Sequence, residues 1–357
     1  MHLSFLLPRD NRSGGVRVTA IMAEFLRDKG YHVRIICLEK PSFSVRFKEA
    51  LKNNFSSKNK GWLHIFKGPV LWPKSPAELN FEQDEVVIGV GTYTLGYLID
   101  LPHDVIKLRF NHGMPAQFDD EAKRVWKYSL PSITVSNTLV PILEGLSPGS
   151  VLGVVPNGID RKQYYNMNQP RDGVGVFYSR HPNKAPEFII EVIQNLKQRY
   201  PDVPLRVIST TQCPDELQPI VEFHRLPSVD QVREIYNSCK VWLLPSDTEG
   251  LPGPVLESLS CGTVVVSTNN DGSLEIIEPE KNGLISPRRD LEAFIHNVGR
   301  VLTDESLRQT LSKAGEQRAD EFSWDAAVEK MEKVLETLID NHRQQAGSKA
   351  TAAAKLM

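Results

Sequence analysis

Short unbroken apolar runs alternate with stretches of helical period along almost the whole chain. HLSFLLP (2–8) predicts a buried strand, GVRVTAIMAEFLRDKG (15–30) a helix that stops at Gly30, and HVRIICL (32–38) the next strand. EVVIGVG (85–91), VIKLRF (105–110) and SITVS (132–136) continue the series. Strands this continuously apolar belong in a parallel sheet covered on both faces, the α/β class. After VVPNGIDRKQY (154–164) the alternation restarts. GVGVFYS (173–179) predicts a strand and APEFIIEVIQNLKQRY (185–200) a helix; LRVIST (205–210), VEFHRL (221–226), VWLLPS (241–246) and TVVVST (263–268) predict further strands. Two Rossmann-like halves are expected, residues 1–158 and 159–324, with a ligand cleft at the carboxyl ends of their strands. Beyond Asp340, NHRQQAGSKATAAAKLM is poor in apolar residues, and 341–357 reads as a disordered tail.

Composition narrows the class. A chain of 357 residues, 40% apolar and 24% charged, suits a globular protein of two ordinary domains. A formal net charge of −2 argues against a general nucleic-acid binder. Cys37, Cys213, Cys239 and Cys261 form no C-x-x-C pair, which disfavours zinc or a disulfide framework and fits a reducing cytoplasm. The opening MHLSFLLPRDNRSGG lacks the charged n-region of a signal peptide, and no run approaches the roughly 20 apolar residues of a membrane span. From Lys40 to Lys74 the chain holds eight Lys/Arg against one acid, Glu49. Within that stretch Phe43, Phe47, Leu51 and Phe55 form a stripe at every fourth position, with Lys48 and Lys52 beside it. Such a stripe either packs on the N-terminal half or lies on an anionic membrane surface.

The stretch DTEGLPGPVLESLSCG (247–262) falls between two predicted strands and is therefore a β-α-β crossover. Pro254 suits the first helical position and Gly262 the end of the helix. Glu249 then lies in the loop at a strand's carboxyl end and Glu257 inside the short helix. Two ionised carboxylates so placed can accept hydrogen bonds from a bound polyol; the plainer alternative is a solvated Glu249 and a Glu257 that favours its helix terminus. In SRHPNKAP (179–186), Arg180 and Lys184 sit four apart at a strand-to-helix turn, where two cations make a diphosphate site without a metal, or else a solvated surface pair. SGGVRV (13–18) puts Gly14 and Gly15 at the first strand-to-helix turn, where backbone N–H groups can meet phosphate or where the chain simply turns tightly. His112 follows a strand in FNHG. NNDGSLEII gives another loop before a helix, from which Asp271, Gly272, Ser273 and Leu274 can offer backbone N–H groups. GLSPG (145–149) is not a nucleophile elbow, because Pro148 has no N–H to donate. GVGTYTLG (89–96) misses the third glycine of a dinucleotide fingerprint.

EGLPGPVLESLSCGTVVVST resembles the E-x7-E segment of family 4 of the retaining glycosyltransferases, proteins of the GT-B fold. It departs from that pattern at Pro252, at Gly253, which falls one place late, and in Ser-Leu-Ser where Ala-Met-Ala is usual. SGGVRV, FNHG, TVSN (134–137), VPNGID (155–160), SRHPNKAP, LPSVDQVREIYNSCKVWLLPS (226–246), NNDGSLEIIEPEKNGLI (269–285) and FSWD (322–325) match further landmarks in order. The resemblance implies two Rossmann-like domains, an N-terminal one for the acceptor and a C-terminal one for the nucleotide sugar, with a helix of about 325–340 returning to the first. It implies transfer of a hexose with retention from a nucleoside diphosphate sugar, UDP rather than GDP, to a hydroxyl of a saccharide, lipid-linked sugar or small molecule. Neither metal nor cofactor is implied. Arg180 and Lys184 would stabilise the departing diphosphate, Gly15 would approach it, His112 and Glu249 would lie at the sugar, and Glu257 would hold the ribose hydroxyls. A GT-B nucleotide-sugar epimerase and a catalytically dead nucleotide-sugar-binding subunit remain as alternatives. The expected location is cytoplasmic, with peripheral contact at the membrane if the basic stripe is a surface helix.

Overall fold

The structure, a computed structural model, describes residues 1–39, 61–75, 78–102, 105–113 and 125–356, without the side chains beyond Gln344. The stripe of Phe43 to Phe55 lies outside the described residues. The chain divides into unit 1, Met1–Pro156 with Trp324–Met357, and unit 2, Asn157–Ser323.

Unit 1 is built on a seven-stranded sheet of order β3-β2-β1-β4-β5-β6-β7 whose pairings are all parallel. Its strands are β1 His2–Leu7, β2 His32–Cys37, β3 Val70–Leu71, β4 Val86–Val90, β5 Ile106–Asn111, β6 Ser132–Thr134 and β7 Val151–Val154. Their apolar residues are covered on both faces, as in the buried run Leu3, Phe5 and Leu6. Helix α1, Gly14–Asp28, starts because Ser13 Oγ accepts from Val16 N–H at 3.4 Å. The chain leaves it through Gly30 at φ 93°, a conformation that suits glycine. α2 (Leu95–Asp100) and α3 (Val140–Leu146) are short.

The C-terminal helix, Trp324–Leu356, also belongs to unit 1. Trp324 stacks on Phe25, and Glu332 receives hydrogen bonds from Lys29 Nζ (2.5 Å) and Tyr31 OH (3.1 Å). Met331 and Leu335 are fully buried. The helix continues through 341–356, where the composition predicts disorder. Ala346, Ala350, Ala352, Ala353 and Ala354 explain the difference: a segment too polar to make a core can still have high helix propensity.

Unit 2 holds a six-stranded parallel sheet of order β10-β9-β8-β11-β12-β13. The strands are β8 Gly173–Tyr178, β9 Leu205–Ser209, β10 Glu222–Arg225, β11 Cys239–Leu244, β12 Val264–Thr268 and β13 Leu284–Ser286. The helices are α4 Pro186–Arg199, α5 Val229–Ser238, α6 Gly253–Ser260, the single turn α7 Asp271–Leu274, α8 Leu291–Thr303 and α9 Glu305–Asp320. α5 opens with a capping box: Ser228 Oγ accepts from Gln231 N–H, and Gln231 Oε1 accepts from Ser228 N–H. Val192, Ile193, Val241, Val266 and Phe294 meet in the core between the sheet and its helices.

Candidate active site

Strand order locates the place where each unit can hold a ligand. Where the connections after two neighbouring parallel strands leave in opposite directions, a crevice opens outside their carboxyl ends. In unit 2 that point lies between β8 and β11. The loop after β8 carries Arg180 and Lys184; the loop after β11 carries Glu249.

Backbone hydrogen bonds join these two loops, with Asp247 and Thr248 donating to Asn183 O at 2.9 and 3.4 Å. Across them Lys184 Nζ reaches both carboxylate oxygens of Glu249, at 2.6 and 2.7 Å. The Glu249 side chain is 8% exposed and that of Lys184 29%. Ala185, buried at φ 49°, turns the chain from this loop into α4. Arg180 is exposed at the same turn, and its charge opposes the burial that pushes the Tyr178 hydroxyl pKa upward.

Glu257 lies one turn into α6 and is 6% exposed. Tyr236 OH donates to its Oε2 at 2.9 Å. Tyr236 is itself buried edge-on to Trp242, at 4.5 Å between ring centroids, with Tyr164 at 6.2 Å. Burial, reinforced by the Glu257 charge, pushes the Tyr236 hydroxyl pKa far up, so it stays a proton donor.

The loop after β12 closes against Glu249. A Cβ placed on Gly272 would stand 2.7 Å from Gly250 O and 2.8 Å from Glu249 Cβ, so only glycine allows this approach. Asn270 caps the turn that follows: its Oδ1 accepts from Ser273 N–H at 2.9 Å, and its carbonyl accepts from Leu274 N–H at 3.2 Å. The expectation that Asp271, Gly272, Ser273 and Leu274 all offer amides is therefore corrected. The capping residue takes up those of Ser273 and Leu274, and Asp271 and Gly272 lead the turn. The Leu274 side chain is exposed, and the Asp271 carboxylate lies 3.8 Å from Arg288.

Unit 1 carries the remaining three residues. Its reversal of strand order falls between β1 and β4, so the Gly14–Gly15 turn stands at the corresponding point of that sheet. Chain neighbours and the helix's own backbone aside, no atom of the described residues lies within 4 Å of a Cβ built on either glycine. His112 follows β5 and packs on Phe110, with ring centroids 4.1 Å apart. Its Nε2 is sealed from solvent and has no hydrogen-bond partner among the described residues, and burial pushes its pKa down to about 4. The imidazole is neutral at pH 7 and can exchange a hydrogen bond with a hydroxyl.

Tyr236, Asn183 and Asn270 are parts of the unit 2 site that sequence reasoning missed. Asn270 carried a signal, since an Asn directly before a short helix is a preferred cap. Tyr236 carried a weaker one, as an aromatic on the apolar side of α5. Among the described residues no three His, Cys, Asp or Glu side chains cluster as metal ligands, and no helix is long and apolar enough to cross a membrane.

Residues 173–304, most of unit 2, match the family of glycosyl transferases group 1. An uncharacterised glycosyltransferase of Methanocaldococcus jannaschii is 25% identical over 197 residues, covering 52% of this chain and 54% of its own. The N,N'-diacetylbacillosaminyl-diphospho-undecaprenol alpha-1,3-N-acetylgalactosaminyltransferase of Campylobacter jejuni is 28% identical over 118 residues, covering 33% and 31%. The chain thus spans about half the length, or less, of these curated relatives. Among solved structures, Anabaena HepE in complex with UDP and glucose superposes with a TM-score of 0.74 at 15% identity, over 94% of this chain and all of its own. At that identity the likeness establishes the fold, the GT-B class with its two Rossmann-like parallel-sheet domains.

Proposed function

We propose that the protein is a retaining glycosyltransferase that moves a hexose from a nucleoside diphosphate sugar to an acceptor hydroxyl. The observation that carries this function is the meeting of Lys184 and Glu249 at the unit 2 switch point, with Arg180 on the same turn. A cation there faces a departing diphosphate, whose charge grows as the glycosidic bond breaks, so its stabilisation lowers the barrier directly. Glu249 accepts hydrogen bonds from the transferred sugar. Glu257, oriented by Tyr236, accepts them from the ribose. Gly14 and Gly15, in unit 1, offer backbone N–H groups of the kind that suit a phosphate. His112, as a neutral imidazole, helps to place the sugar hydroxyls. The leaving phosphate serves as the base on the face from which it departs, so no side chain forms a covalent intermediate.

UDP is the preferred nucleotide of the proposal, in keeping with the UDP and glucose bound by the Anabaena protein. The acceptor is assigned to unit 1. A lipid-linked saccharide is one class it could take, in keeping with the name of the Campylobacter relative. Cytoplasmic location and peripheral contact with anionic membrane belong to the same proposal. The positive charge comes from Arg180 and Lys184, so no metal is required.

Titration calorimetry with UDP, GDP, ADP and their sugar conjugates, followed by transfer assays in excess EDTA, tests the proposal. At least one conjugate should bind, and transfer should persist in EDTA. Arg180→Ala and Lys184→Ala should each lower turnover by about 10²–10³-fold, the scale of one lost transition-state donor. Absence of binding to every conjugate overturns the function, and an absolute need for a divalent ion overturns its metal-free form.

A further inference from the structure

The Lys184–Glu249 pair sets a problem for any phosphate that enters. Both oxygens of Glu249 lie on the one Lys184 nitrogen, at 2.6 and 2.7 Å. Neither loop can withdraw at little cost. Asp247 and Thr248 donate to Asn183 O on the facing loop, and Gly272 packs against the Glu249–Gly250 backbone with no room for a methyl group. A phosphate oxygen that takes Lys184 therefore leaves a largely buried carboxylate short of its counter-ion and beside a second anion. Removing one partner from such a pair is costly, because the group left behind was desolvated on the strength of the other.

Compensation depends on what the phosphate carries. A free nucleoside diphosphate ends in phosphate oxygens and offers Glu249 no donor. A conjugate carrying a hexose brings hydroxyl groups, and these can take over the carboxylate oxygens that Lys184 gives up. We infer that Glu249 competes internally for Lys184, and that the pair makes the site discriminate a sugar-bearing nucleoside diphosphate from the free nucleoside diphosphate. The discrimination acts in the useful direction: it disfavours retention of the product left after the sugar has departed. Specificity here comes from an unfavourable contact with the wrong ligand as much as from a favourable one with the right ligand. The inference rests on the proposed function, since it takes the unit 2 site to receive a nucleoside diphosphate sugar.

Titration calorimetry with UDP, GDP, UDP-glucose and GDP-mannose on the full chain tests it, using wild type, Glu249→Gln and Lys184→Met. Glu249→Gln keeps the shape and removes the competing charge. It should bind the free nucleotide about tenfold more tightly than wild type does, as expected when one charged hydrogen-bonded contact no longer has to be broken. It should gain nothing toward the conjugate. Lys184→Met removes the cation and leaves the carboxylate, so it should weaken the free nucleotide more than the conjugate. It also decides the matter should Glu249→Gln fail to fold. Unchanged or weaker binding of the free nucleotide by Glu249→Gln overturns the inference, as do equal losses for both ligands in Lys184→Met. Failure of wild type to bind any of the four ligands overturns the proposed function, and the inference with it.

Discussion

Tyr236 is buried and His112 half-buried with its Nε2 sealed from solvent, and their roles at pH 7 differ. Tyr236 donates to Glu257 from within an aromatic cluster, and its raised pKa keeps the proton on the phenol. On the proposed function, in which Glu257 accepts from the ribose, Tyr236→Phe should raise the donor KM while kcat changes little, since the hydroxyl then acts on nucleotide binding through Glu257. Glu257→Gln should weaken free nucleoside diphosphate binding by about 1–3 kcal/mol, the cost of losing one charged hydrogen-bond acceptor in a desolvated setting. A fall in kcat with unchanged KM in Tyr236→Phe would place that residue in the chemical step instead. His112 bears on stability as well as on its proposed place at the sugar. Its folded pKa of about 4 lies below the value near 6.5 of an unfolded histidine, so between these pH values the unfolded chain binds more protons. Its contribution is therefore complete above about pH 6.5 and is lost progressively as pH falls toward 4. Thermal unfolding of wild type and His112→Asn should show a gap between pH 7.5 and pH 5 that is smaller in the variant.

Glycines at the ends of elements separate steric roles from ligand roles. Gly14 and Gly15 begin α1 where, among the described residues, nothing beyond the local backbone crowds an added Cβ, and alanine is the better helix former. Gly14→Ala and Gly15→Ala should leave the midpoint of thermal unfolding unchanged or slightly higher, yet reduce turnover if, as proposed, the backbone at this turn meets phosphate. Gly272→Ala should behave in the opposite manner. Its Cβ would collide with Gly250 O, so the loop bearing Glu249 must shift; stability should fall by about 1–3 kcal/mol, the usual cost of overpacking, and turnover with it. Equal stability for all three variants would contradict the packing described here. The same elements mark the limits of sequence reading. The carboxylates Glu249 and Glu257 were placed in a loop and a helix from the sequence because Gly250, Pro252, Pro254 and Gly262 punctuate their surroundings strongly. β3, β7 and β13 were missed because they have only two to four residues each, and β3 and β7 are just half-buried. The Lys184–Glu249 pair was also missed: its members are 65 positions apart, and only the strand order that makes β8 and β11 neighbours brings them together.

At the scale of the molecule, the two units differ in how the chain builds them. Unit 2 is a single run from Asn157 to Ser323, and its two ends close on each other. Ile159 N–H donates to Phe322 O at 2.7 Å, Ile159 bridges Ser323, and Arg161 pairs with Asp320 at 3.0 Å. Its core is its own, and Arg180, Lys184, Glu249, Glu257 and Tyr236 all belong to it. Unit 1 needs both ends of the chain, since the C-terminal helix supplies the buried side chains Ala327, Val328, Met331 and Leu335. Residues 157–323 expressed alone should consequently unfold cooperatively and bind the same nucleotide as the full chain, without catalysing transfer. Residues 1–156 alone should be insoluble or partly folded, because the face covered by that helix becomes an exposed apolar patch. Supplying residues 324–357 through a flexible linker after Pro156 should restore a folded unit. Calorimetry and thermal unfolding of the three fragments check this, and a stable, monomeric 1–156 fragment would refute the part assigned to the C-terminal helix.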